Sequence, residues 1–308
     1  MPFSHHSHSG QFCNHATNTL EEVVRRAISL KMEVFAMTEH MPRDEEDLYP
    51  EELEINTTAA GLLQLFDDYY AEAVRLRRAY ASQIKLLVGF ETDWIRPSSL
   101  KLTEDLLNKY QFDLFVGSIH HVRTVPIDFD QPKYEEARRV TGGTDEKLFE
   151  AYFDEQYGML QALKPPVVGH FDLIRLKSDD PERSFKQWAG VWNRINRNLR
   201  FVADYGGIVE LNSSALRKGM TEPYPKKEVC EAFLAMGGRF TLSDDSHGCD
   251  QVGLNYHKVL DAIRSAGIQE IHFLVRGSRG SDQRFKGISP SAVKVSELRN
   301  HAFWTVQS

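Results

Sequence analysis

The chain has 308 residues and a mass of 35.3 kDa, which suits one large domain of alternating strands and helices. No Pro/Gly/Ser-rich linker divides it, so we predict a single domain over residues 1–308. Its formal net charge is −7 and its isoelectric point is about 6.0. No overall positive field therefore favours nucleic acid or an anionic membrane, and small-molecule chemistry is the better expectation.

The cysteines and the first residues indicate the cell compartment. Cys13, Cys230 and Cys249 are odd in number and far apart, which predicts reduced thiols rather than a disulfide framework. The first residues run straight into His5 and His6, leaving no room for the charged and apolar regions of a secretory leader. No apolar run approaches membrane-span length. We expect a soluble, cytoplasmic protein.

The predicted elements alternate between strands and helices. Residues 19–22, Thr-Leu-Glu-Glu, form a capping-box pattern that opens a helix. One face of that helix carries Leu20, Val23, Val24, Ala27 and Ile28. Further strands are predicted at 34–38, 85–90, 114–119, 166–169, 207–211, 239–243 and 270–275. Further helices are predicted at 62–80, 103–110, 146–163 and 185–205.

Strand–helix alternation of this kind predicts a parallel α/β sheet. Its closure into a barrel would bring the carboxyl ends of all strands to one rim. The main irregular segments are Tyr49-Pro50 and residues 121–143, and long loops of this kind are often lids or binding loops.

Metal-binding residue types follow most of the predicted strands. The first apolar stretch ends in His6-Ser7-His8, and alternation along a strand points both imidazoles at one place. The later strands are followed in turn by Glu39 and His40, Glu91, His120, His170, Asn212, and Asp244, Asp245 and His247. The strand at 270–275 has no obvious ligand after it. Imidazole and carboxylate suit zinc, iron or manganese, so the pattern predicts a polynuclear metal site.

Some residues near these positions have a simpler interpretation. A single histidine at a strand end is more often a hydrogen-bonded structural residue, and only the order of the whole set favours ligation. Strand alternation favours His6 over His5, and the Gly-Ser-Ile-His register favours His120 over His121. Three acids beside ligands are expected to orient imidazoles rather than bind metal: Glu39, Asp172 and Asp244. The residues expected to be structural are Cys13, His257, His272 and His301.

Taken in order, these motifs resemble those of the polymerase and histidinol phosphatase (PHP) superfamily. The matching segments are His6-x-His8, Cys13-Asn14-His15-Ala16, Thr38-Glu39-His40, Gly89-Phe90-Glu91, Gly117-Ser118-Ile119-His120, Gly169-His170-Phe171-Asp172 and Ser243-Asp244-Asp245-Ser246-His247. They cover most of the chain. Within the superfamily, the chain is most similar to the monofunctional histidinol-phosphate phosphatases. Segments 4–10 and 242–248 are particularly similar to fungal members.

The resemblance implies a distorted (β/α)7 TIM-like barrel with three divalent transition-metal ions, zinc before iron or manganese. By matching motifs, the first ion takes His6, His8, Glu91 and Asp245. The second shares Glu91 as a bridge and adds His120 and His170. The third takes His15, His40 and His247, so no cysteine is needed as a ligand. The implied catalytic residues are Glu91, Asp245 and His247.

The implied reaction is hydrolysis of L-histidinol phosphate to L-histidinol and phosphate in histidine biosynthesis, by attack of a metal-bridging hydroxide. Metal coordination lowers the pKa of water toward about 7, and neighbouring ions clamp the phosphoryl oxygens. The chain has no Cys-x5-Arg nucleophile, which favours attack by water over a phosphoenzyme. The substrate is then a small phosphate monoester, with neither nucleic acid nor membrane as partner, and the oligomeric state stays open.

Three residues are candidates for substrate binding. Arg175 and Arg217 each follow a strand end by five residues, where a guanidinium can hold phosphate through two hydrogen bonds. Pairing with an acid such as Asp172 or Glu222 is the alternative, nearly as strong for Arg175. Asn212 would position substrate or cap the next turn. The candidates for binding the substrate's amine and imidazole cannot be ranked: Asp93, Asp128, Glu210 and Glu222.

Two other function classes remain. A PHP-type nuclease or general phosphoesterase would need an electropositive track with interleaved aromatic residues, and the acidic net charge argues against it. A non-catalytic metal-binding protein would have lost ligands. Every ligand position is filled here, which argues against that alternative as well.

Overall fold

The computed structural model describes residues 2–277, 284–285 and 287–306, which adopt an α/β fold. The strands are β1 (Phe3–Ser4), β2 (Val34–Met37), β3 (Lys85–Val88), β4 (Glu91–Asp93), β5 (Val116–Ser118), β6 (His121–Val122), β7 (Val125–Pro126), β8 (Val167–Val168), β9 (Ile208–Asn212), β10 (Arg239–Ser243), β11 (Glu270–Arg276) and β12 (Ile288–Lys294). The helices are α1 (Leu20–Ser29), α2 (Pro50–Glu54), α3 (Ala59–Ala79), α4 (Ser99–Lys109), α5 (Gln131–Val140), α6 (Asp145–Leu163), α7 (Ala189–Tyr205), α8 (Ser214–Arg217), α9 (Lys227–Ala235), α10 (Tyr256–Ser265), α11 (Val295–Leu298) and α12 (Phe303–Val306).

Two parallel sheets carry the fold. One has the strand order β1-β2-β3 and the other β10-β9-β8-β5-β4. The pairs within both are parallel, as the strand–helix alternation predicted. Two antiparallel pairs, β6–β7 and β11–β12, stand apart from them. The sequence predicted β11, but its partner β12 was not predicted.

Backbone contacts join the two parallel sheets at both edges. Ser7 bridges to Ser246 beside β1 and β10, and His40 bridges to Glu91 beside β2 and β4. The amide of Asp245 also donates to the carbonyl of His6, with an N···O distance of 3.1 Å. The pairing itself forms separate sheets, so the closed seven-stranded barrel stays a prediction. Whether or not the sheets close into a barrel, the segments that follow β1, β2, β5, β8 and β10 lie next to one another.

The predicted strand at 85–90 extends only to Val88, and a separate strand of the other sheet begins at Glu91. β3 ends at Val88 and pairs with β2, whereas β4 begins at Glu91 and pairs with β5. The hydroxyl of Tyr69 on α3 lies 2.6 Å from the carbonyl oxygen of Met37 and 2.7 Å from that of Gly89. The Met37 carbonyl also accepts from the Gly89 amide at 2.9 Å, so the Tyr69 hydroxyl adds to the backbone pairing at the end of β3.

The capping box that opens α1 is confirmed. The amide of Glu22 donates to the Thr19 hydroxyl at 3.3 Å, and the amide of Thr19 donates to the Glu22 carboxylate at 2.7 Å. The predicted apolar face is buried at Leu20, Val23, Val24 and Ala27, with Ile28 packed against the same core.

The predicted irregular segments contain regular structure, so that prediction was wrong. Residues 121–143 hold the β6–β7 hairpin and helix α5. Asp130 caps α5 by accepting from the Lys133 amide at 2.7 Å, and proline in the first turn fits the free helix N-terminus. Likewise, Pro50 starts α2, where the Glu52 carboxylate accepts from the Tyr49 amide at 2.7 Å. In the part of the chain that the structure describes, no helix is long and apolar enough to cross a bilayer.

Candidate metal centre

The nine predicted metal ligands lie together at the carboxyl ends of the parallel strands. Glu91, the first residue of β4, is at the centre, with its side chain only 1% exposed. Its carboxylate lies within 3.5 Å of ring nitrogens of five histidines. The N···O distances are 3.2 Å for His6, 3.5 Å for His8, 2.9 Å for His40, 3.3 Å for His120 and 3.0 Å for His170.

Asp245 and His247 complete the cluster from the segment after β10. Asp245 Oδ1 lies 3.5 Å from His8 Nε2 and 3.7 Å from His6 Nε2. The His247 ring lies 4.5 Å from that of His8 and 5.0 Å from that of His15, between centroids. His15 comes from the connection between β1 and α1, which also carries His6 and His8.

The potential donor atoms form overlapping groups in which all atoms lie within 4.8 Å of one another. His6, His8 and Glu91 form one group, and Glu91, His120 and His170 form another. The first contains three of the four residues of the first predicted set, without Asp245, and the second contains the same residues as the second predicted set. His8, Asp245 and His247 form a third. The last group joins His15, His40 and His247 with Cys13, a residue that the sequence analysis did not include among the ligands.

Several ring nitrogens in the cluster are buried without a hydrogen-bond partner in the described structure. These are His6 Nε2, both ring nitrogens of His8, His40 Nε2 and His170 Nδ1. A buried polar atom left without a partner costs about 1–3 kcal/mol, so five of them in one cluster would be a substantial penalty. A divalent cation is the partner that neutral imidazole nitrogens and ionised carboxylates share. The residues present therefore fit bound metal ions.

The electrostatics of the protein without metal favour protons in the centre. Burial alone lowers the pKa of His6, but the carboxylates of Glu91, Asp245 and Glu210 outweigh it and hold that pKa well above 6.5. Burial also lowers the pKa of His8, but the nearby carboxylates of Asp245, Glu39 and Glu91 outweigh it and raise that pKa to about 9. The same balance of burial and nearby acids also raises the pKa of His120 well above 6.5.

The acids respond in the opposite sense. Burial would raise the pKa of Glu91, but His6 and His120 bring it well below 4.5. Burial and His6 act in the same opposing way on the pKa of Asp245, which lies well below 3.8. Both carboxylates are therefore ionised and ready to bind cations at neutral pH.

The outer imidazoles are neutral. Burial lowers the pKa of His40 to about 3 and that of His15 to about 4, and positively charged His8 adds to both shifts. Burial and His8 also bring the pKa of His247 well below 6.5. The imidazoles of His15, His40 and His247 can therefore bind a cation without first losing protons.

Two acids orient the inner imidazoles. Glu210, fully buried on β9, lies 3.1 Å from His6 Nδ1 and accepts from the His170 amide at 2.6 Å. The sequence analysis left Glu210 among the substrate contacts, and the structure corrects this, because its carboxylate lies behind His6. Asp93 Oδ1 lies 3.4 Å from His120 Nδ1 and 3.2 Å from His121 Nδ1. The sequence feature that could have identified Glu210 as an orienting residue is its position as an acid inside a predicted buried strand.

The expected orienting acids divide into two kinds. Glu39 lies 3.5 Å from His8 Nδ1 and also accepts from the Ser9 amide at 2.8 Å, as expected of a residue behind a ligand. Asp172 instead accepts from Arg175 Nε at 3.1 Å and from the Lys226 amide at 3.0 Å. Asp244 accepts from the Gly253 amide at 2.7 Å. For Asp172 and Asp244 the prediction was wrong, because both hold loop backbone rather than an imidazole.

A cavity of about 470 Å³ opens over the cluster. Apart from the clustered side chains, the residues lining it include Arg43, Tyr49, Asp93, Asp128, Phe129, Arg217 and Lys218. Arg217 donates to the carbonyl oxygens of Asp244 at 3.3 Å and Asp245 at 3.2 Å, which holds its guanidinium at the cavity wall. Arg43 and Tyr49, where the guanidinium lies 4.7 Å from the ring centre, were not singled out by the sequence analysis.

Arg175 and Asn212 lie outside the cavity lining. Arg175 is 1% exposed, pairs with Asp172, and donates to the carbonyl oxygens of Glu222 at 3.0 Å and Pro223 at 2.8 Å. Its position agrees with the alternative of an internal ion pair and does not support the predicted phosphate contact. Asn212 is buried and caps a turn, since its Oδ1 accepts from the Ser214 amide at 2.8 Å.

Comparisons with known proteins agree with this geometry. The profile of the PHP domain family matches residues 4–214. The chain is 45% identical over 291 residues to a probable histidinol-phosphatase of Schizosaccharomyces pombe, covering 94% of each chain. It is 32% identical to the histidinol-phosphatase of Saccharomyces cerevisiae, covering 98% of each.

Solved structures share the fold. A Listeria monocytogenes protein assigned as a histidinol phosphatase has 25% identity and a TM-score of 0.74, over 83% of this chain and 99% of that one. A Lactococcus lactis histidinol phosphate phosphatase, solved with zinc, L-histidinol and phosphate, has 19% identity and a TM-score of 0.66. This match covers 88% of this chain and 95% of that one, and it supports the fold alone. The chain belongs to the PHP domain family, in which it groups with the histidinol-phosphatases.

Proposed function

We propose that this protein is a metal-dependent phosphomonoesterase that hydrolyses L-histidinol phosphate to L-histidinol and phosphate in histidine biosynthesis. The observation that carries the proposal is the single carboxylate of Glu91 among five imidazoles, at the base of a cavity with Arg217 on its wall. The substantial identity to fungal histidinol-phosphatases supports the same substrate.

The proposed centre holds three divalent ions, zinc before iron or manganese. His6, His8, Glu91 and Asp245 would hold one ion, and Glu91, His120 and His170 a second. The third would lie at His15, His40 and His247. The donor groups within 4.8 Å of one another support these sets. The cross-sheet bridges beside β1 and β10 and beside β2 and β4 support closure of the sheets into a seven-stranded barrel around the centre.

Hydrolysis of a phosphate monoester requires a nucleophilic water and neutralisation of the phosphoryl charge. Bound divalent ions supply both, because they lower the pKa of water and stabilise charge on phosphoryl oxygens. The protein's own part is to keep Glu91 and Asp245 ionised in a buried site and to fix the imidazoles through Glu39, Asp93 and Glu210. In this scheme Glu91, Asp245 and His247 are the catalytic residues.

Arg217 is the proposed phosphate contact, with Lys218 beside it on the cavity wall. At the other pole of the substrate, a cationic amine or imidazole needs an acid. Asp93 is engaged by His120 and His121, and lies 3.8 Å from Arg43. Asp128 also lines the cavity and pairs with no base among the described ion pairs, so we propose it for that role.

The test compares three substrates on one preparation. Zinc-loaded protein should release phosphate from L-histidinol phosphate much faster than it cleaves an unactivated phosphodiester or single-stranded DNA, and chelation should abolish the activity. Comparable rates on the diester would favour a general phosphoesterase, and preference for DNA would favour the nuclease. No turnover of any substrate by fully loaded protein would contradict an enzymatic function.

A further inference from the structure

The donor group at the outer edge of the centre contains a sulfur atom. Cys13 lies two residues before His15, and its thiol belongs to the same group of donor atoms as His15, His40 and His247, all within 4.8 Å of one another. Cys13 is 7% exposed, so its thiol is shielded from bulk solvent although it lies beside the cavity. The sequence analysis treated it as a packed thiol.

The Cys13 sulfur lies in contact with the imidazole of His15. Cys13 Sγ lies 3.3 Å from Nε2 and 3.5 Å from Nδ1 of His15. Two ligands of one tetrahedral zinc ion, with Zn–S near 2.3 Å and Zn–N near 2.0–2.1 Å, are separated by about 3.6 Å. The sulfur is nearly equidistant from the two ring nitrogens, so it lies against the His15 ring rather than along one lone pair. Coordination of one ion by both side chains therefore requires rotation of that ring.

A second observation points to a ligand in the same place. His40 Nε2 is buried without a hydrogen-bond partner in the described structure, while its Nδ1 lies 2.9 Å from Glu91. The Cys13 thiol and the rings of His15 and His247 are the other members of its donor group. His40, which carries this unpartnered nitrogen, and Cys13 thus belong to one group of potential ligands.

The backbone holds the sulfur in this position. The amides of Phe12 and Cys13 donate to the Ser9 carbonyl at 3.1 and 2.9 Å, and the Thr17 amide donates to the His247 carbonyl at 2.8 Å. The loop that carries Cys13 and His15 is therefore tied directly to the loop that carries His247. Independent movement of the two loops would break these bonds.

We infer that Cys13 is a fourth protein ligand of the ion held by His15, His40 and His247, in a sphere of one thiolate and three imidazoles. The inference rests on the metal centre of the proposed function and deepens it. Four protein donors complete a tetrahedral zinc sphere, whereas catalytic zinc keeps a position for water or substrate. The outer ion then anchors the loops and adds positive charge to the centre, and His247 contributes to catalysis only through that charge. Sulfur also favours zinc, cobalt or iron over manganese at this position.

Cobalt substitution tests the inference without using activity. Thiolate bound to Co²⁺ gives a sulfur-to-metal charge-transfer band in the near ultraviolet, which imidazole and carboxylate ligands do not give. The double variant Cys230→Ala/Cys249→Ala leaves Cys13 as the only thiol, so a band in its cobalt-loaded form comes from Cys13. We expect this band at one cobalt per chain, and we expect zinc to displace it.

Cys13→Ala should lose the band, and its affinity for the outer ion should fall by more than the ~10–100-fold cost of removing a residue behind a ligand. Cys230→Ala is the matched control, because this thiol is 3% exposed and contacts only the Pro225 carbonyl among hydrogen-bond partners. Full cobalt loading of the double variant without the band overturns the inference, as does a band that persists in Cys13→Ala. Failure to bind cobalt at all rejects the metal centre itself. Absent phosphatase activity with the band present rejects only the proposed reaction.

Discussion

At the scale of single residues, Glu91 has the most contacts within the centre. Its two carboxylate oxygens lie within 3.5 Å of five imidazoles, and its side chain is almost fully buried. A buried carboxylate of this kind stays ionised only when positive charge lies close to it. Protons on His6 and His120 provide that charge without metal, and bound ions would replace them. The identity of this one side chain thus affects two proposed ions at once.

Glu91→Gln should reduce turnover by about a hundredfold or more, because a neutral amide bridges two cations poorly. The fold should remain largely intact, since the amide has nearly the same shape. Steady-state kinetics, elemental analysis and circular dichroism check these three expectations. Glu104→Gln, a change on the exposed face of α4, is the control. Near-normal turnover with full metal content would contradict the bridging role.

The two candidate arginines should respond differently to truncation. Arg217→Ala removes a charged donor from the cavity wall, and a charged hydrogen bond is worth about 1.5–3 kcal/mol, so kcat/KM should fall roughly ten- to a hundredfold or more. Metal content should not change. Arg217→Lys should rescue only part of the loss, because an ammonium lacks the bidentate fork. A kcat/KM within about twofold of the unmodified protein would exclude the phosphate contact.

Arg175→Ala should instead act on stability. Removing one partner of a buried ion pair leaves Asp172 uncompensated and costs about 3–5 kcal/mol. Denaturant unfolding of both arginine variants measures the contrast. If Arg175→Ala unfolds like the unmodified protein but loses activity, then Arg175 rather than Arg217 is the functional residue.

At the scale of elements, the loops after the strands are held by close backbone approaches. Gly10 shows this for the loop that carries Cys13 and His15. A Cβ at this position would lie 2.7 Å from the Ala16 carbonyl oxygen and 2.8 Å from Thr17 Cα. Both are backbone atoms, and the loop is tied on to His247 through the Thr17 amide. The loop's position therefore depends on the absence of a side chain at residue 10.

Gly10→Ala should displace this loop, lowering the free energy of unfolding by about 1–3 kcal/mol and weakening the outer ion selectively. Gly158→Ala is the matched control, because nothing lies within 4 Å of a Cβ there and the residue is in the interior of α6. That change should stabilise the protein by about 0.5–1 kcal/mol. Equal metal retention and stability in the two variants would contradict the role given to Gly10.

At the scale of the whole molecule, the centre couples stability to pH and metal. Without metal, the pKa of His8 is about 9, against 6.5 in an unfolded chain, because the nearby acids outweigh its burial. The protonated form thus stabilises the fold fully below pH 6.5, and this contribution is lost as pH rises through 9. His6 and His120 act in the same direction. His15 and His40 titrate below this window.

The melting temperature of chelated protein should therefore fall between pH 6.5 and 9. Metal-loaded protein should lack this decline, because metal takes the place of the protons, and metal uptake should release protons. Scanning calorimetry across the pH range and titration calorimetry in buffers of different ionisation enthalpy measure the two effects. A flat melting temperature for the chelated protein, or uptake without proton release, would contradict the coupling.

The sequence by itself was enough to predict the parallel α/β class, the capped helix α1 and the set of histidines and acids that meet in the cluster. These depend on local patterns: hydrophobic periodicity, a cap of four residues, and ligand types placed directly after strands. The residue types at a strand end can be read from the sequence without knowing which other segments pack beside them. For the same reason, family membership could be recognised from short motifs in order.

Tertiary structure decided what depends on residues distant in the chain. It ended β3 at Val88 and began β4 of the other sheet at Glu91, paired β11 with β12, and placed Glu210 behind His6 rather than in the cavity. Arg175 and Arg217 have the same spacing from their strand ends, yet only Arg217 lines the cavity. Cys13 joined the donor group through three histidines, two of them distant in sequence. The burial of a residue, the strand it pairs with and the direction of its side chain all depend on the residues packed around it. Those residues are distant in the chain, so a short segment of sequence does not identify them.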